Sequence, residues 1–303
     1  MLPFKLVYHE GYDLNLGSHV FPSRKYKMVR DRLLAEGFAE EGDFIAPEPA
    51  GDDDLLLVHE RGWIARLKEG TLDRGELAAL EIPYSKKMVD AFVLAAGGSI
   101  LAARCALRDG AAVNIGGGFH HAHAGHGEGF CAIHDVAVAI RRVQKDGLIE
   151  RAMVVDTDVH HGNGTAAIFE NDPSVFTLSI HQFHNYPQFK PRSSVDIHLE
   201  NGVGDEEYCR RLGEACQRAM DEFRPQLVMY VAGADPYRDD QLGGLALSIE
   251  GLKARDALVF DLAREHEAPV AVTFAGGYAH KVEDTVTIHA NTVKAVAEAL
   301  LAR

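Results

Sequence analysis

Residues 152–164 read AMVVDTDVHHGNG. The run opens apolar and partly β-branched, the composition of a strand buried on both faces. It then breaks into Asp156, Asp158, His160 and His161, followed by a Gly-containing turn. Side chains alternate in direction along an extended backbone, so Asp156, Asp158 and His160 point the same way. Carboxylates and imidazole gathered past an apolar strand are costly for folding alone. Asp158 and His160 together make half of a metal site.

The same design recurs along the chain. Short apolar strands at residues 5–8, 112–115, 153–156, 175–179, 227–232 and 270–274 alternate with helical patterns at 25–36, 60–68, 86–108, 133–146, 164–169, 205–222, 248–266 and 291–302. This alternation predicts an α/β fold: one domain over residues 1–303, with a mainly parallel open sheet covered by helices on both faces. The acidic segment 48–54 reads as a surface loop, and no repeat or low-complexity linker interrupts the pattern. The strands exit into GGGFHHAHAGHGEGF (116–130), DTDVHHGNG (156–164), SIHQFHNYP (179–187), AGADPYRDD (232–240) and AGGYAHK (275–281). Ligands bind at the carboxyl ends of strands in open parallel sheets, so these exits predict one active edge.

Composition narrows the class. Apolar residues are 47% of the 303, enough for a sizeable core. A net charge of −14 argues against nonspecific nucleic-acid binding, which needs clustered Lys and Arg. The four cysteines, Cys105, Cys131, Cys209 and Cys216, form no CxxC pair; a reducing compartment, the cytoplasm, is expected. No signal peptide and no uninterrupted run of 18 apolar residues is seen, so no membrane span is expected.

The chemistry of the exits suggests a hydrolase. Asp158, His160 and Asp235 are assigned as ligands of one divalent metal, three protein ligands being the catalytic pattern. Zinc is expected, with iron(II) an alternative for so oxygen-rich a set. The two carboxylates acidify bound water less than neutral imidazoles do, so a separate general base is needed. His120 and His121 supply it, with Asp156 as partner for one and Asn163 for the other. Tyr278, after Gly276 and Gly277, can donate to a developing oxyanion, a contact worth about 3 kcal/mol elsewhere. His123 and His126 read as a solvated loop rather than a second metal site, and His181 and His184 as pocket-lining residues at a strand exit.

GGGFHHA…GFC (116–131), DTDVHHGNGT (156–165), GADPYRDDQLGG (233–244) and GGY (276–278) resemble the histone deacetylase superfamily, which has the arginase-like α/β fold. The likeness runs over residues 8–292, and SIHQFHNYP and Asn163 are most similar to class IV members and their bacterial relatives. The resemblance implies a metal-dependent amidohydrolase acting on acyl-lysine in proteins or peptides, or on a small acylated amine such as an acetylpolyamine. It places Asp158, His160 and Asp235 on the zinc ligands, His120 and His121 on the histidine pair, and Tyr278 on the carbonyl-polarising tyrosine. Asp156 falls behind the first histidine and, with Ser179, on side-chain ligands of a structural potassium ion. Gly129, Phe130 and Leu242 fall on the acyl-lysine tunnel, and Cys131 beside its foot. Lys25 stands where many relatives place an Arg near the acetate exit. Asn163 stands where many members carry Asp, and the amide is expected to leave His121 less basic. An arginase-like ureohydrolase is disfavoured because Pro236 and Tyr237 follow Asp235 where a second metal needs another ligand. A non-catalytic acyl-lysine binder is disfavoured by the full catalytic set.

Overall fold

The strands are β1 (Lys5–Val7), β2 (Phe44–Ile45), β3 (Ala111–Asn114), β4 (Ala152–Asp156), β5 (Val175–Gln182), β6 (Val195–Leu199), β7 (Leu227–Val231) and β8 (Val270–Thr273). The helices are α1 (Lys25–Ala35), α2 (Asp52–Leu55), α3 (Arg61–Glu69), α4 (Arg74–Leu80), α5 (Lys86–Asp109), α6 (Asp135–Lys145), α7 (Asn163–Ile168), α8 (Asp205–Phe223), α9 (Ile249–Glu265) and α10 (Val282–Leu301). The structure, a computed structural model, describes residues 1–302. All strand pairs run parallel, in one sheet of order β2-β1-β3-β8-β7-β4-β5-β6. Helices α5 and α6 pack together on one side, with α5 lying on β1, β3 and β8; α8, α9, α10 and α1 form the opposing layer. Strands β3, β4, β7 and β8 are buried along their whole length, as strands covered on both faces must be.

That order positions the site. β3, β8, β7 and β4 are consecutive neighbours, and Asn114, Thr273, Val231 and Asp156 stand in register across them. Each chain therefore leaves the sheet at the same level. The exits at 115–118, 156–160, 232–235 and 274–278 are delivered to one edge although they are far apart in sequence.

Several boundaries differ from the sequence reading. β5 continues to Gln182, so His181 is a strand residue and not part of an exit. α10 begins at Val282, well before residue 291, because its first turns bury Thr285, His289 and Thr292, polar residues that hide the apolar stripe. β2, β6, α2 and α4 are not anticipated; β2 has only two residues and α2 only four. Part of the 48–54 loop is thus helical. α5 is long and apolar enough by composition to cross a bilayer, and Asp90, Ser99 and Arg104 keep it from reading as one uninterrupted run; 83% of its most apolar window is buried in the fold. Capping fixes two helices: Ser85 Oγ accepts from Met88 N at the start of α5, and Ser248 Oγ from Gly251 N at the start of α9. Such caps contribute about 1 kcal/mol each.

Candidate active site

β4 ends at Asp156 and the chain bends over Asp158–His160, so these side chains are placed by the bend and not by continued strand alternation; Asp235 follows β7. The three offer ligand atoms that all lie within 4.8 Å of one another. His160 Nδ1 is 3.0 Å from Asp158 Oδ1 and 3.4 Å from Asp235 Oδ2, so one imidazole nitrogen faces both carboxylates. The remaining oxygens are held by backbone: Gly276 N donates to Asp158 Oδ2 at 2.8 Å, and Val159 N to Asp235 Oδ1 at 2.8 Å. Gly276 is required by space, since a Cβ there would sit 1.9 Å from Asp235 Oδ2 and 2.5 Å from Asp158 Oδ2.

This donor set fits a divalent cation. All three residues are buried, and Asp235 Oδ2 accepts no hydrogen bond. Burial, then the neighbouring Asp158 carboxylate, pushes Asp235 up to about 7. Two buried carboxylates turned toward one point need a positive charge between them. Tyr237, two residues after Asp235, directs its hydroxyl to Asp284 at 3.4 Å and adds no ligand.

The histidine pair comes from β3. His120 Nδ1 is 2.7 Å from Asp156 Oδ2, and His121 Nδ1 is 2.6 Å from Asn163 Oδ1. The rings lie 4.0 Å apart, yet their environments oppose each other. Burial would lower His120, but Asp156 and then Asp158 carry it up to about 9. Burial, then the His120 and His160 rings, holds His121 well below the ordinary histidine range. A carboxylate behind one ring and an amide behind the other favour a protonated imidazole at His120 and a neutral one at His121.

A narrow cavity leads to these groups. Its lining includes Phe21, Gly129, Phe130, Cys131 and Tyr278 together with His120, His121 and Asp158. Phe21, Phe130 and Tyr278 meet pairwise with ring centroids 5.9–6.3 Å apart, and Tyr186 stands edge-on to His121 at 4.9 Å. Gly129 and Phe130 both have positive φ, at 52° and 68°. This conformation is unfavourable for Phe, and the end of α4 holds it: Gly129 N donates to Ala79 O and Phe130 N to Leu80 O. Burial raises the Cys131 thiol well above its usual range.

Other singled-out residues lie differently. Leu242 does not line the cavity; its carbonyl accepts from Asn185 Nδ2, beside Tyr186. Ser179 is the register partner of Asp156, with its Oγ 2.9 Å from His181 Nδ1. Lys25 is fully buried behind Tyr278, donating to Ala275 O at 2.7 Å. His123 and His126 stack at 4.4 Å near Glu128, a possible ligand trio by spacing. Both Glu128 oxygens are already engaged, Oε1 by Asn163 and Tyr186 and Oε2 by His126. His181 bonds Ser179 and His198 inside the sheet, and His184 is exposed. Phe21, Tyr186, Glu128 and Arg255 escape a reading of the sequence. Glu128 directly precedes Gly129 and Phe130 in the third strand's exit, and that adjacency is its one signal in the sequence.

The histone deacetylase domain family matches residues 19–293. An uncharacterized protein of Picosynechococcus is 38% identical over 287 residues, covering 94% of this chain and 96% of its own. Histone deacetylase 2 of Arabidopsis thaliana is 35% identical over 286 residues, covering 90% of this chain and 74% of its own. Among solved structures, the HDA15 HD domain aligns with a TM-score of 0.79 at 22% identity, covering 99% of this chain and 91% of that one; the likeness concerns the fold.

Proposed function

The chain belongs to the histone deacetylase family, and on that premise we propose that it is a zinc-dependent deacylase of the ε-amine of lysine in proteins or peptides. The observation that carries the reading is that Asp158, which clusters with His160 and Asp235, lines one aromatic-walled cavity together with His120, His121 and Tyr278.

A divalent cation held by Asp158, His160 and Asp235 supplies Lewis acidity, which polarises an amide carbonyl and acidifies water. The chain's own residues do the rest. Phe21 and Phe130 flank the aliphatic stem of the acyl-lysine and exclude bulk solvent. His121 accepts the proton of the attacking water at Nε2. The Tyr278 hydroxyl donates to the oxygen on which negative charge develops. His120, held charged by Asp156, keeps a proton for the departing amine, delivered directly or through His121. Asp156 and Ser179, adjacent across β4 and β5, offer the hard oxygen donors suited to a structural potassium ion. The free cysteines suit a reducing cytoplasm.

The lysine reading is favoured over acetylpolyamine by where the acids lie. The 48–54 segment would have to present carboxylates at the cavity mouth to attract a polycation. Two of its four acids are instead engaged by basic side chains, Asp52 by Lys68 and Asp54 by Arg142 at 3.1 Å. The test is a panel of acyl-lysine peptides and acetylated polyamines, run on protein of known metal content with and without chelator. Acyl-lysine turnover that chelator abolishes and zinc restores is expected. Turnover indifferent to chelator, or confined to polyamines, overturns the proposal; restoration by iron(II) alone overturns zinc.

A further inference from the structure

Position 163 carries an amide where many relatives carry a carboxylate, and the structure supplies the missing carboxylate one step further out. Asn163 Nδ2 donates to Glu128 Oε1 at 2.6 Å, and its second proton faces His123 Nε2 at 3.2 Å. Asn163 Oδ1 faces His121 Nδ1. Glu128 is itself anchored, accepting from the Tyr186 hydroxyl at 3.0 Å and lying 3.1 Å from His126 Nε2. Burial works against its charge, but the bonds from His126, Asn163 and Tyr186 overcome this and hold it down at about 2.

An isolated amide can turn over and exchange its oxygen and nitrogen. A carboxylate on one side removes that freedom, because it only accepts. Nitrogen must face Glu128, and oxygen must face His121. That oxygen in turn only accepts, so the proton of neutral His121 sits on Nδ1 and the lone pair is left on Nε2. We propose that Glu128 is a positioning residue for the base: acting through Asn163, it sets the tautomer of His121. The inference rests on the reading of His121 as the proton acceptor. With the amide turned over, an N–H would face Nδ1, the ring proton would move to Nε2, and the base would be lost. The relay also keeps a full charge off the atom adjacent to His121, which a directly bonded Asp would not.

The test exchanges polarity across the Asn163–Glu128 bond. Glu128→Gln is expected to lower kcat about tenfold with KM little changed, since some His121 adopts the wrong tautomer. Asn163→Asp sets two carboxylates against each other and is expected to lower kcat by about as much. The double variant restores a donor–acceptor pair with the roles reversed. It is expected to be more active than either single variant, within about threefold of the native enzyme. Additive losses in the double variant overturn the proposal. A native enzyme inactive on every acyl substrate overturns the reading of the site instead, and the tautomer is then read without substrate. Side-chain 15N spectra of the zinc-loaded protein are expected to show His121 protonated at Nδ1, and both tautomers in Glu128→Gln. An Nε2-protonated His121 in the native protein overturns the proposal whatever the activity.

Discussion

Tyr278→Phe is expected to leave the fold and the bound metal intact while lowering kcat by about a hundredfold or more. The substitution removes one oxygen and little else. The ring stays wedged between Phe21 and Phe130, and the backbone keeps its anchors: Tyr278 N donates to Asp240 Oδ2 at 2.7 Å, and Gln241 Nε2 donates to Tyr278 O at 2.8 Å. Burial, then the Asp158 and Asp235 carboxylates, raises the phenol well above its usual range, so the hydroxyl keeps its proton as a donor. A donor aimed at charge that develops only in the transition state affects kcat more than KM. The measurement is kcat and KM on the best acyl-lysine peptide, with metal content determined on the same sample. Near-native turnover would remove Tyr278 from the chemistry. Loss of metal together with activity would make it a structural residue.

The largest loss of stability is expected from Arg255→Met. Arg255 and Asp256 are both fully buried. The guanidinium donates from Nε and Nη2 to Asp256 Oδ1 at 2.9 and 2.8 Å, and from Nη1 to Gly233 O at 2.6 Å and Thr157 O at 3.3 Å. Asp256 also accepts from Tyr230 OH and Thr292 Oγ1, each at 2.6 Å. Removing the cation strands a buried carboxylate, which costs about 3–5 kcal/mol. The two backbone carbonyls lie beside Asp158 and near Asp235, so weakened metal binding is expected as well. Urea unfolding with chelator present reads the stability term alone, because bound metal adds its own stabilisation. A loss below about 1 kcal/mol would show that the pair contributes little net stability. Removing both charges, as Arg255→Met with Asp256→Leu, should recover part of the loss.

Much of the catalytic edge is legible in the sequence because its local chemistry is unusual. Asp158 and His160 stand three and five residues after Val155, the last residue of an apolar run, and Gly276 precedes a tyrosine at another strand end. Such contrast between an apolar run and polar groups survives without coordinates. Glu128 shows no such contrast. It looks like any acid in a glycine-rich loop until the left-handed turn at Gly129 and Phe130 brings it against Asn163. Arg255 is similarly hidden, since in a helical pattern ending in Glu265 a charged residue reads as solvent-facing, whereas this one points inward. His289, buried against Phe274 at 4.3 Å, concealed half of α10 for the same reason.

Alternation of apolar strands with amphipathic helices determined a parallel sheet with its polar exits on one edge, because both periods are local properties of the chain. Which exits became neighbours was decided only when β7 and β8 inserted between β3 and β4. Backbone pairing and packing between distant segments choose that order, which brings Asp235 to Asp158, while the left-handed turn held against α4 sets the carboxylate of Glu128 behind the amide that orients His121.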